Sequence, residues 1–131
     1  MDKSTQELIR GYLDKAKENI EVAERLLASN DFEVSISRAY YASFYAAHAL
    51  LLSEGLNARS HGGVIALIGL HFVKAGKMDK KYARHLSNLL EDRQKGDYNL
   101  FSGLDRGDSE QALTESKEFI AEASRLLKPY L

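Results

Sequence analysis

Cysteine is absent from the 131 residues, which excludes disulfides, thiolate zinc sites and cysteine nucleophiles. Proline occurs once, at Pro129, and a chain this poor in helix breakers, yet rich in Ala, Leu, Glu and Lys, favours helix. No apolar run approaches the ~20 residues needed to span a bilayer. Residues 1–27 carry charges throughout and lack the apolar stretch of a secretion signal. The expectation is therefore a cytoplasmic protein with no membrane contact. Strand-like alternation, internal repeats and low-complexity tracts are also missing. The four histidines, His48, His61, His71 and His85, form neither an i, i+4 pair nor an HExxH motif, and no Glu-x-x-His occurs. A helical metal site is thus not expected, and no cofactor is implied. The formal net charge of −1 gives the whole chain no general attraction to nucleic acid.

What is present reads as five helices in one domain, residues 1–131, a length that suffices for a real core. The first is expected from Thr5 to Ala28, with Leu8, Tyr12, Ala16, Ile20, Ala23 and Leu27 recurring at three and four. Ser29-Asn30-Asp31 stops it and offers caps to a second helix, Phe32–Ser53, which ends at Gly55. Ser60 can cap a third, His61–Ala75, closed by Gly76. Asp79 can cap a fourth, Lys80 to about Tyr98. The stretch FSGLDRGD reads as a loop, and Ser109 can cap the fifth, Glu110 to about Leu127, whose Leu113, Phe119, Ile120, Ala123 and Leu127 share a face. Short connections favour antiparallel neighbours, so the expected architecture is an all-α, up-down antiparallel bundle of four to five helices. The third helix should pack across one end. The second is apolar on more sides than one core covers, which predicts a homodimer through the Tyr40–Leu52 region.

Three constellations carry possible chemistry. On the second helix Arg38, Tyr41, Tyr45 and His48 follow one another at three, four and three, on one stripe. They suit a groove for a base or a phosphate; equally, tyrosines in a bundle hydrogen-bond across helices. Tyr40, Phe44, Ala47 and Leu51 form a more apolar stripe alongside. The segment Asn57–Gly63 leads into the third helix with free backbone N–H groups beside Arg59 and His61, an arrangement fit for an anion. The alternative is a tight turn with glycine helix packing. On the fourth helix Arg93 and Asp97 are four apart and Tyr98 stands at the edge of their face. A cation, a carboxylate and a phenol in one turn can hold a phosphodiester and move a proton, or form an ordinary ion pair near a helix end. Gly96 costs roughly 1 kcal/mol there against alanine, pointing to fraying or to a close approach. Finally, residues 74–95 carry seven basic side chains against three acidic ones. That excess is either a solvated face or a local patch for phosphate or an acidic partner.

The blocks SRAYYASFYAAHALLLSEGL (37–56), SHGGVIALIGLHFVKAGKMD (60–79) and RQKGDY (93–98) resemble HEPN domain proteins, in particular small stand-alone prokaryotic ones. The resemblance covers roughly residues 5 to 128. It implies a helical bundle that commonly dimerises, and a class of roles: ribonucleases, or toxins paired with a minimal nucleotidyltransferase antitoxin. In the active ribonucleases an arginine is followed, about a turn later, by a histidine, and two such motifs meet across a dimer. Some pairs use a nearby tyrosine as nucleotide acceptor. Arg93 matches the arginine, but Tyr98, Asn99 and Leu100 stand where the histidine belongs. Asp97 and Tyr98 occupy the places of base and acceptor. Metal-independent RNA cleavage needs a proton acceptor near neutral pKa, and a carboxylate beside an arginine is a weak one. A histidine such as His61 or His85 would have to be supplied from elsewhere. The expectations are an RNA- or nucleotide-binding, toxin-like protein at Arg93, Asp97 and Tyr98, with ribonuclease activity open, or else a non-catalytic nucleotide- or protein-binding module.

Overall fold

A computed structural model describes residues 2–131, and among them every regular element is helical. Five α-helices follow in order: α1 (Lys3–Ala28), α2 (Phe32–Ser53), α3 (His61–Ile68), α4 (Lys80–Tyr98) and α5 (Arg106–Leu127). A π-helical turn, Gly69–Val73, continues α3, and a short 3₁₀ turn, Lys128–Tyr130, follows α5.

The ends form where side chains replace missing backbone partners. Asp2 accepts from the Thr5 amide at 2.7 Å, Ser60 from Gly63 at 2.9 Å and Asp79 from Lys81 at 2.9 Å. Positive φ at Asn30, Gly55 and Gly76 turns the chain out of α1, α2 and the π turn. The α5 start departs from the sequence expectation. Asp105, not Ser109, caps it, in a reciprocal box with Asp108. Ser109 instead lies buried inside the first turns and donates to Ser35 Oγ at 2.9 Å. The α1 stripe holds from Ala16 onward, with Ala16 and Ala23 buried and Ile20 and Leu27 partly so, but in its first turns Ile9 and Leu13 are buried more deeply than Leu8 and Tyr12. Ile9, Leu13, Ala16 and Ala23 are the buried apolar residues, while Leu8 is 54% exposed.

Cross-helix contacts fix the topology. Ser35 donates to the Ala23 carbonyl and Arg38 to Asn19, so α1 and α2 run antiparallel. On α4, Gly96 faces Glu33 and Arg93 faces Tyr41, so α2 and α4 are antiparallel too. By contrast, Ser35 meets Ser109 and Ser43 meets Ser116, which advance in the same sense; α2 and α5 are parallel. This is the up-down bundle expected, with α2 at its centre. Small residues make that central place possible. Ser35, Ala39, Ala42, Ser43, Ala46, Ala47 and Ala49 are all buried, as are Ala112 and Ser116 of α5, and short side chains let two backbones approach closely.

The core has two connected parts. One centres on Leu13, Leu50, Ile68, Leu86 and Phe119, the other on Ile36, Tyr40, Leu89 and Leu113. The apolar girth of α2 is therefore largely covered by this chain's own helices. Tyr41, Phe44, Tyr45, His48 and Leu52 remain half-buried along one side.

Candidate functional site

Arg93, near the end of α4, reaches across to α2. Its guanidinium carbon lies 5.1 Å from the centre of the Tyr41 ring and 5.7 Å from that of Tyr40. Arg38, one turn earlier on α2, lies 4.8 Å from the same Tyr41 ring. Two cations thus share one phenol ring, each drawn by the ring quadrupole. Arg38 also donates to Asn19 Oδ1 at 3.3 Å, and Asn19 is held in turn by the Lys15 carbonyl.

Arg93 is nearly enclosed, its side chain 16% exposed. Asp97 Oδ2 stands 3.0 Å from Nε, yet the two are not aligned as a hydrogen bond, and Nε is the one buried side-chain nitrogen or oxygen without a hydrogen-bond partner among the described residues. The Nη donors make no hydrogen bond among those residues, and neither is among the fully buried atoms without a partner. An aligned bond to a carboxylate would use up this fork; a skewed one leaves donors for something else.

His61, the first residue of α3, completes the wall. Its ring centre lies 4.6 Å from Phe44, 5.5 Å from Tyr40 and 6.2 Å from Tyr41, and its Nδ1 is 2.5 Å from the Tyr40 hydroxyl. His48 packs edge-on against the same Phe44 at 4.6 Å and stacks on Tyr12 at 5.5 Å. Both imidazoles are held below the ordinary histidine pKa, chiefly because burial disfavours the cation. For His61 the charge of Arg93 adds to this, and for His48 that of His61. Burial pushes the Tyr40 phenol well above its usual value, so its proton stays on.

The residues expected from sequence separate into those that converge and those that do not. Arg38, Tyr41, His48, His61, Arg93 and Asp97 gather around the Tyr40–Phe44 segment. Tyr45 turns toward α1, its ring 6.1 Å from Tyr12, beside a shallow apolar groove of about 180 Å³ lined by Leu8, Gly11 and Lys15. Tyr98 is 78% exposed at the last turn of α4 and heads an exposed apolar loop with Leu100 and Phe101. Of the two histidines considered as suppliers, His61 is the one at the arginine. His85 is engaged between α4 and α5, 2.8 Å from Glu118 and 3.7 Å from Glu115. Gly63 approaches its own cap: a Cβ there would meet Ser60 Oγ at 2.9 Å. Tyr40 is the residue that sequence reasoning left in an apolar stripe and that the structure places at the centre. No cluster of three or more His, Asp or Glu able to hold a metal exists among the described residues, and no described helix is long and apolar enough to cross a membrane.

The fold and this site define a class: a five-helix bundle with an arginine recessed against helix-borne aromatics and histidines. The chain belongs to the HEPN domain family, whose model matches residues 9–126. It is 32% identical over 131 residues to a Methanocaldococcus jannaschii protein, MJ0605, whose name makes it a candidate toxin; the match covers 100% of this chain and 97% of that one. It is 34% identical over 116 residues to the UPF0332 protein glr0978 of Gloeobacter violaceus, covering 88% of this chain and 92% of that one. Among solved structures, TT1696 from Thermus thermophilus superposes with a TM-score of 0.77 at 18% identity, over 89% of this chain and 96% of that one. That likeness concerns the fold.

Proposed function

We propose that this protein is a toxin-like HEPN protein that binds RNA or a nucleotide by its phosphates at the recess around Arg93. One observation carries the reading: a nearly enclosed guanidinium whose Nη donors have no hydrogen-bond partner among the described residues and whose Nε is not satisfied by its neighbouring carboxylate. A phosphodiester oxygen is a partner that such a fork fits. Aromatic rings and Arg38 next to it suit a stacked base. Metal-independent ribonuclease activity is the stronger form of the proposal, with Arg93 as candidate catalytic cation and Asp97 and Tyr98 as candidate proton-handling groups. A minimal nucleotidyltransferase is the candidate antitoxin, and the exposed Tyr98 hydroxyl is the group it could reach.

The test is binding and cleavage of short single-stranded RNA without metal. Arg93→Ala should weaken binding at least about tenfold, since a charge-assisted hydrogen bond is worth roughly 1.5–3 kcal/mol. Equal binding by wild type and variant removes the proposal. The second reading, a non-catalytic binding module, has its own support. Asp97 lies 3.0 Å from Arg93 as an ion-pair partner, and Tyr98 stands out in solvent, 78% exposed. RNA binding without cleavage would select it.

A further inference from the structure

We infer that Tyr40 is a positioning residue: it fixes His61 in the tautomer that carries its proton on Nε2, so that His61 and Arg93 together present N–H donors to a phosphate-type oxyanion. The ligand half of this inference rests on the reading of Arg93 as an anion site; the tautomer half does not.

A neutral imidazole has one N–H and one lone pair, and the hydrogen bond made by one nitrogen settles the state of the other. Tyr40 is 1% exposed and its hydroxyl has a single partner, His61 Nδ1 at 2.5 Å. Two arrangements are conceivable. If Nδ1 carried the hydrogen and donated to the phenol oxygen, the phenolic O–H would have no acceptor inside a closed core, a costly state for a buried donor. If the phenol donates instead, Nδ1 is the acceptor and both groups are satisfied. Nε2 then carries the hydrogen. That nitrogen has no hydrogen-bond partner among the described residues and is not among the buried atoms lacking one, so it is open to solvent. Arg93 shares the Tyr40 and Tyr41 rings with His61, close enough for its charge to act on that imidazole.

The consequence is specific. His61 holds its only lone pair against Tyr40, so toward the recess it acts as a neutral donor and not as a proton acceptor. A cation supplies charge, and an uncharged N–H beside it supplies direction without repelling it. Oxyanions with several acceptor oxygens, such as a phosphodiester, match that pair.

Nitrogen-15 correlation spectra of the imidazoles decide the matter at neutral pH. Wild-type His61 should show a bare Nδ1 and a protonated Nε2. In Tyr40→Phe the preference should collapse to a mixture of tautomers. A protonated Nδ1 in wild type, or an unchanged tautomer in Tyr40→Phe, overturns the positioning role. Titration with a short single-stranded oligoribonucleotide tests the ligand half. The His61 Nε2 resonance should move in wild type. Affinity should fall several-fold in Tyr40→Phe and at least tenfold in Arg93→Gln, whose His61 tautomer stays as in wild type. Should no resonance move on adding the oligonucleotide, the ligand half fails together with the proposed function, while the tautomer result is read independently.

Discussion

His48 and His61 both lean on the Phe44 ring, each at 4.6 Å, and burial keeps both below the ordinary histidine pKa of 6.5. The unfolded chain therefore takes up these protons at higher pH than the folded one, and stability falls as pH drops through about 6.5. It is fully present above that value. Asp92, raised mainly by burial, works in the opposite sense but in the carboxylate range. The expected result is a lower melting temperature near pH 5.5 than near pH 7.5, with the slope flattened in a His48→Gln/His61→Gln double variant. Melting curves across that range check it; an unchanged slope in the variant would assign the effect elsewhere. Half of the site was legible in the sequence. Helical spacing alone put Arg38, Tyr41 and His48 on one stripe and Arg93 beside Asp97. The pairing of Tyr40 with His61 was not legible, because it joins two helices 21 residues apart and no local period reports such a contact.

At the scale of helices, legibility followed the caps. Ser60 and Asp79 were each read as caps, and each caps as read. The α5 start was read at Ser109, with Asp105 and Asp108 assigned to the loop before it. The reciprocal Asp105–Asp108 box won because it satisfies two amides, which freed Ser109 for the core. Gly96 raised a different question, fraying or close approach. Helix α4 continues through it to Tyr98, and a Cβ there would lie 3.5 Å from Leu104 Cδ1 and 3.6 Å from Glu33 Cβ, ordinary packing distances. Gly96→Ala should then stabilise the protein by up to about 1 kcal/mol, the helix propensity gained. Urea denaturation measures this, and a loss of stability would mean that the end of α4 is tighter than these distances imply.

For the whole molecule, the prediction of a homodimer through α2 now has a narrower basis. Most of that helix is covered within the chain. What remains is the half-buried side of Tyr41, Phe44, Tyr45, His48 and Leu52, together with Leu100 and Phe101, which are 88% and 91% exposed. Sedimentation at micromolar concentration should give twice the chain mass, and Tyr45→Glu should shift it toward the monomer. A wild-type monomer would end that reading.

The buried hydroxyls between α2 and α5 also constrain how the molecule can respond to anything it binds. Ser109 to Ser35 to the Ala23 carbonyl, and Ser43 to Ser116 to the Ala39 carbonyl, are two rungs at separate heights on the same pair of parallel rods. Sliding α5 along α2 by a helical turn, about 5.4 Å, would break both at once and leave the hydroxyls of Ser43, Ser109 and Ser116 without these partners, away from water. The scaffold behind Tyr40 and Tyr41 is therefore stiff along its axis. Whatever docks at Arg93 must be accommodated by rotating side chains, and backbones with and without a guest should superpose along α2 and α5.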